Sequence, residues 1–218
     1  MISVADLINK KPLKGNYYAP SAYVQGDFEL GLLETRQGAR LISLPDTFIQ
    51  GMFAGLTEEL GQATGVVLYN CGVWWGKNFY RRFLEEVSNY YETSLAQMEM
   101  AQFISCFKQC WKTHGWGVVN FNFDYYPQGF ICVNSINSPF AENAEPQQEP
   151  SCYLEAGVLS AFFSQLTGQE LGCVQTSCES LNHESNQFII GLEERLKVTK
   201  SYLEQGHSHE KIMELLCN

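Results

Sequence analysis

The sequence predicts an α+β fold, an antiparallel sheet packed against several helices, on three observations. Between Val118 and Tyr125 the positions Val119, Phe121, Phe123 and Tyr125 alternate with Val118, Asn120, Asn122 and Asp124, the two-residue period of a half-buried strand. Pro127-Gln128-Gly129 then turns the chain into a second strand around Phe130 to Ile136, which carries Ile131 and Val133. Around this hairpin the apolar residues recur every three or four positions, the spacing of amphipathic helices. Helices that flank antiparallel strands, rather than alternate singly with them, set this class apart from a parallel α/β sheet.

Taken in chain order, Asp27 to Thr35 and Ala39 to Leu44 read as strands joined by Arg36-Gln37-Gly38. Pro45-Asp46 opens a helix with the stripe Ile49, Met52, Phe53, Leu56 and Leu60. The longest periodic segment follows over 65–91, with Cys71, Trp75, Phe79, Phe83 and Val87 on one side. Gly72 and Gly76 lie on that same side and would let another backbone approach closely. Ser94 and Gln97 form a capping box that predicts a helix over 94–114, with the stripe Met100, Phe103, Phe107 and Trp111 and a stop at Gly115. The polar, acidic stretch 137–150 reads as a loop. Ser151 caps a helix with Leu154, Val158, Phe162 and Leu166 on one face, stopped by Gly168. Strands near 170–177 and 187–190 and helices from about Leu192 complete a single domain of residues 1–218.

Composition narrows the function. The 218 residues make one domain that buries roughly 70% of its unfolded surface. Charged residues are 17%, and 14 basic against 24 acidic residues give a net charge of −10. The basic residues cluster no further than Lys10-Lys11 and Arg81-Arg82, so no nucleic-acid partner is expected. The two longest uncharged runs, 60–76 and 125–141, contain Asn and Gly and fall short of the ~20 apolar residues of a membrane span. The start Met1-Ile2-Ser3-Val4-Ala5-Asp6 lacks the basic and apolar regions of a signal peptide, so a cytoplasmic protein is expected. Its eight cysteines are then reduced thiols, and none forms a C-x-x-C pair.

Three groups of residues bear on chemistry. Phe103, Phe107, Trp111, Phe121, Phe123 and Phe162, with Ile131 and Val133 on the second strand, converge from a helix pair and a hairpin. Most such residues serve as core, but this surplus of rings is also how a pocket for a flat apolar ligand is lined. Cys173, Cys178 and His183, with Cys152 nearby, carry zinc-ligand chemistry at spacings that fit no standard zinc motif. His207 and His209 read as solvated surface. His114 stands beside Trp111 and Gly115 as a possible proton donor or a helix-end histidine. Glu155 reads as a first-turn acid or as a buried carboxylate with a raised pKa. No P-loop, G-x-G-x-x-G, G-x-S-x-G or H-E-x-x-H occurs, so no catalytic residue is assigned.

Cys152-Tyr153-Leu154-Glu155-Ala156-Gly157-Val158-Leu159, then Phe163, Gly168, Cys178 and Phe188-Ile189-Ile190-Gly191, resemble the C-terminal signature of the 4-vinyl-reductase domain family. Gly115-Trp116-Gly117 is similar to that family's helix-to-sheet junction. The glycine pattern Gly61, Gly65, Gly72, Gly76 around Leu68-Tyr69 is similar to its central helix. The resemblance spans 38–192, leaving 1–37 as an N-terminal extension with a strand and 193–218 as C-terminal helices. It implies the heme-NO-binding or TRAPP-like ligand-binding fold, shared by sensor domains of aromatic-responsive transcription activators and by vesicle-transport subunits. It also implies the positions of a structural zinc in the sensor branch: Cys152, Cys178, the acid three before Cys178 and the cysteine eight after it. Here the last two are Gln175 and Asn186, so the metal site is degenerate and no bound zinc is expected.

With no activator ATPase or DNA-binding region, the chain is more similar to the photosynthesis-associated branch. The resemblance then implies a hydrophobic small-molecule partner, a tetrapyrrole such as a chlorophyll precursor or bilin, carried during pigment or photosystem assembly. A protein-interaction adaptor is the alternative, and a vinyl-reductase component a further one, although no nucleotide, flavin or iron–sulfur fingerprint is present. Gly72 and Gly76, and a fold that pairs through its helices, lead to the expectation of a homodimer.

Overall fold

Residues 14–141 and 150–218 are described in the computed structural model of the chain. The start read for a signal peptide and the acidic part of the 137–150 loop lie outside the described residues. The first described segment straps across the helices that follow. It ends in a single helical turn, α1 (Pro20–Tyr23), and buries Tyr17, Tyr18 and Tyr23 to 1% exposure in the main core. A short sheet comes next, β1 (Val24–Asp27), β2 (Leu32–Thr35) and β3 (Arg40–Leu41), antiparallel in the order β1-β2-β3. The single strand predicted over 27–35 is therefore a hairpin. Asp27 Oδ1 accepts the N–H groups of Glu29 (3.1 Å) and Leu30 (3.0 Å), and Gly31 takes φ 64°, so the chain reverses where the pattern alone reads as continuous.

Two helices follow, α2 (Asp46–Leu60) and the 28-residue α3 (Thr64–Tyr91). From the predicted α2 stripe only Phe53 is buried. Ser94 caps a 3₁₀ turn, Leu95–Gln97, and its side chain makes no capping bond; Met98 is extended, and α4 (Met100–Thr113) starts beyond it. The detour places Leu95 in the core and Met98 against it before the helix begins. Gly115, at φ 75°, ends α4 as expected.

The main sheet is fully antiparallel in the order β4-β5-β7-β6, from β4 (Val118–Asn122), β5 (Ile131–Ile136), β6 (Leu171–Ser177) and β7 (Asn186–Leu192). Its alternation sorts two cores: Val119, Ile131, Val133, Phe188 and Ile190 face the aromatic side. Cys132 and Ile189 face the other way, toward Leu196, Ile212 and Met213 of α6 (Glu193–Leu196) and α8 (His209–Cys217). Between α6 and α8 lies α7 (Thr199–Glu204).

The helix that organises the fold is α5 (Tyr153–Thr167), buried on every side from Leu154 to Phe163. Its N-cap is Cys152 rather than the predicted Ser151. It lies against α3 through glycines: a Cβ on Gly72 would stand 2.2 Å from Leu154 O, one on Gly76 2.6 Å from Val158 O, and one on Gly157 2.1 Å from Tyr69 O. Gly72 and Gly76 thus serve a close approach within the chain, and their pattern no longer argues for a homodimer. On its other flank α5 covers the free edge of β6. Ser160 Oγ donates to Leu171 O (2.7 Å), Ser164 Oγ accepts from Leu171 N (2.9 Å), and Cys173 N reaches the Tyr69 hydroxyl of α3 (3.3 Å). Side-chain hydroxyls stand in for the missing strand.

Candidate functional site

The eight residues singled out for ligand binding come together in the main core. Phe107, Trp111 and Phe162 are 0% exposed, Val133 1%, Phe103 5% and Ile131 9%, while Phe121 and Phe123 are half-buried at the margin. The rings meet one another. Phe107 lies edge-on to Phe162 (centroids 4.8 Å) and to Phe121 (5.3 Å), and stacks on Trp111 (5.5 Å). Phe121 stacks on Phe123 at 6.0 Å. Phe79 and Phe83 of α3 join them at 5.1 and 5.5 Å from Phe162. Within this apolar interior Trp111 Nε1 is buried and has no hydrogen-bond partner among the described residues.

A polar network that the sequence did not signal closes one end of the cluster. Glu86 of α3, 4% exposed, accepts from the Tyr18 hydroxyl (3.1 Å) and from Arg82 Nε (3.0 Å), with the Tyr23 hydroxyl at 3.5 Å. Burial and the Glu86 charge hold the Tyr18 and Tyr23 hydroxyls well above their usual pKa, so both stay protonated donors. His114 links this network to the indoles. Its Nδ1 lies 2.8 Å from Cys110 O, its Nε2 3.5 Å from the Tyr23 hydroxyl, and its ring stacks on Trp116 at 4.6 Å. A carbonyl only accepts, so Nδ1 carries the proton in that contact and Nε2 offers a lone pair. Burial lowers the His114 pKa and keeps the ring neutral. The visible trace was Arg82 four residues before Glu86 on a helix; the two tyrosines follow no period.

The four positions implied for zinc also converge, at the N-terminus of α5. Cys152 Sγ lies 3.7 Å from Cys178 Sγ and 3.6 Å from Asn186 Oδ1. Two zinc–sulfur bonds of about 2.3 Å at the tetrahedral angle would set their sulfurs about 3.8 Å apart, so the thiols are spaced for a metal. The other two corners are not. Gln175 Oε1 accepts the Cys152 N–H (2.8 Å), Asn186 Oδ1 accepts the Glu179 N–H (2.9 Å), and Gln175 Nε2 donates to Asn186 Oδ1 (3.3 Å). Two neutral, already engaged amides plug the positions where anionic ligands are needed, and the residues do not fit zinc. Hydrogen bonding from Cys152 and Ser180 holds the Cys178 thiol down to about 5 against its burial, while Cys152 is raised and keeps its proton. Neither alternative ligand is at hand. Cys173 lies five residues back along β6, and His183 is exposed after the 3₁₀ turn Glu179–Leu181.

Glu155 settles as a buried carboxyl at 0% exposure, in the first turn of α5. Oε2 accepts from Ser138 Oγ (2.6 Å), Oε1 has no hydrogen-bond partner among the described residues, and burial pushes the group up to about 7. His209 departs from the solvated surface expected of it: half-buried, its Nδ1 lies 2.7 Å from Thr176 Oγ1. Among the described residues no helix is long and apolar enough to cross a membrane.

Fold and site together define a helix-and-antiparallel-sheet domain with a ring-filled interior. Residues 133–192, from β5 through β7, match the family model described as V4R domain, which bears out the resemblance to the 4-vinyl-reductase domain over that stretch. No curated protein sequence matches the chain. Among solved structures it is similar to the phenol-responsive sensory domain of the transcription activator PoxR with phenol, at 12% identity and TM-score 0.65, over 87% of this chain and 94% of that one. It is also similar to a trafficking protein particle complex subunit 3 from Naegleria fowleri covalently bound to palmitic acid, at 11% identity and TM-score 0.54, over 68% and 92%. At these identities the shared property is the fold.

Proposed function

We propose that this chain is a small-molecule-binding domain whose interior between α4, the β4–β5 hairpin and α5 takes one flat, apolar ligand bearing a hydrogen-bond acceptor. The observation that carries this reading is Trp111, fully buried among rings with an indole N–H that meets no acceptor among the described residues. An unpaired buried donor costs about 1–3 kcal/mol, which a ligand oxygen placed there recovers. Phe121 and Phe123, half-buried at the margin, are the rings that must turn aside to admit it. The solved neighbours, one with phenol and one with palmitic acid, support an apolar ligand in this fold. Within that class, a tetrapyrrole carried in pigment or photosystem biogenesis is the finer proposal, supported by the sequence resemblance alone.

Titration calorimetry with p-cresol, biliverdin and protoporphyrin IX tests the reading and ranks ligand size. For a ligand with an acceptor, Trp111→Phe is expected to weaken binding about tenfold, the worth of one such hydrogen bond. A hydrocarbon of the same shape, such as p-xylene, should lose less. Absence of binding by all three ligands overturns the proposal.

A homodimer remains a proposal on new ground. Of the fourteen exposed large hydrophobics among the described residues, nine fall between Val24 and Trp74, including Phe28 at 87%, Ile42 at 75% and Trp74 at 70%. Light scattering that returns the mass of one chain at micromolar concentration removes it.

A further inference from the structure

On the flank of α5 away from Phe162, a cleft of about 890 Å³ runs along the covered edge of β6. That volume is in the range of small-molecule sites. Its apolar lining includes Tyr69 and Val73 of α3, Ala161 of α5, Leu171 of β6 and Leu196 of α6. At the sheet edge beneath, the Leu171 N–H and C=O and the Cys173 N–H are already bonded to Ser164, Ser160 and Tyr69.

The charges around it are uneven. Lys77 of α3, Lys197 just after α6 and Lys200 of α7 line the cleft, and none forms an ion pair among the described residues. Lys77 Nζ instead lies 5.5 Å over the Trp74 ring. Glu170 and Glu193 line the same cleft, so its charged residues leave one net positive charge in a chain of net −10. Unpaired cations in an acidic protein thus gather beside apolar walls.

We propose that this cleft is a second binding site, separate from the ring-filled interior, for a small organic anion with a flat apolar body. The body lies between Tyr69, Val73 and Leu196, and the anionic group is held by Lys77, Lys197 and Lys200. The amides of Asn70 and Gln165 are also in the lining.

The test uses 8-anilinonaphthalene-1-sulfonate as probe and N-phenyl-1-naphthylamine as its uncharged counterpart, each titrated by fluorescence. The sulfonate is expected to bind the natural chain, with affinity falling as salt is raised from 20 to 300 mM and the screening length shortens from about 20 Å to about 6 Å. Replacing all three lysines by glutamine (K77Q/K197Q/K200Q) should weaken the sulfonate about tenfold, the sum of three exposed ion pairs, and leave the uncharged probe unchanged. E170Q/E193Q should tighten the sulfonate. The substituted side chains are exposed, and circular dichroism checks that the variants fold. Failure of the natural chain to bind the sulfonate, equal binding by the triple-lysine variant, or an equal loss for both probes overturns the proposal.

Discussion

The seam between α3 and α5 and the ring cluster beside it are equally buried and built in opposite ways. In the seam, backbone lies on backbone: Gly72, Gly76 and Gly157 leave no room for a single added carbon. In the cluster, large side chains meet through faces and edges, with centroids mostly 5–6 Å apart and the buried Trp111 donor unpaired among the described residues. Rings can turn about their side-chain bonds, whereas a carbonyl 2.1 Å from a would-be Cβ cannot yield without moving a helix. The molecule therefore has a stiff frame, α3–α5, beside an interior that can rearrange around a guest.

The comparison breaks most visibly at Gly157. Gly157→Ala is expected to destabilise the chain by at least ~3 kcal/mol, at the upper end of overpacking costs, or to abolish folding. Phe121→Ala, at the margin of the cluster, should cost less than that, because a half-buried ring has less packing to lose than the ~3–5 kcal/mol of a fully buried Phe. Urea unfolding of both variants gives the ranking. A Gly157→Ala protein within ~1 kcal/mol of the natural chain would show that the seam can open, and the distinction between frame and interior would fail.

The frame also carries a titratable group, which sharpens the comparison as a function of pH. Burial raises Glu155 from 4.5 to about 7, so between those values the unfolded chain has lost this proton and the folded chain has kept it. The contribution is fully present below 4.5 and is lost as pH rises through about 7. Stability from this group should fall by on the order of 3 kcal/mol between pH 4.5 and pH 8, and stay flat above. His114 and His209, both lowered by burial, act in the opposite direction by losing stability as pH falls. The quantity to measure is therefore the difference between the natural chain and Glu155→Gln, in which the histidine contributions cancel. A pH-independent difference would mean that Glu155 has the same pKa in the folded and the unfolded chain, so that burial does not raise it.

Legibility in the sequence followed the same division. The stripes on α3 and α4, apart from the exposed Cys71 and Met100, and the alternation in β4 come from burial of one face, a local period that survives in the amino-acid order. Gly72 and Gly76 announced a close approach, but spacing along one helix does not say which backbone arrives, and the partner proved to be α5 of the same chain. The N-terminal strap left no such trace. Tyr18 and Tyr23 are brought to Glu86 by a path with no period, more than sixty residues away in the chain. The 27–35 hairpin was hidden because Phe28 and Leu30, 87% and 71% exposed, read as strand residues while the Asp27 carboxylate bends the chain. The lysine cleft gathers residues from α3, α7 and the segment between α6 and α7, none clustered in sequence.

The smallest expected effect lies at the N-cap of α5 and is no effect at all. If the Gln175 and Asn186 amides hold the end of the frame as a hydrogen-bonded plug, EDTA should leave the Tm of the natural chain unchanged. Elemental analysis should likewise find no stoichiometric zinc. The positive control is Q175E/N186C, which exchanges both amides for anionic ligands beside two thiols that are already 3.7 Å apart. This variant should take up close to one zinc per chain and lose stability when the metal is chelated, because a site formed only in the folded state adds its binding free energy to folding. Either single exchange leaves one corner without an anionic ligand and should bind more weakly. One zinc per chain in the natural protein, with a Tm lowered by EDTA, would instead mean that the two amides give way to a metal. The end of α5 would then be held by coordination rather than by hydrogen bonds.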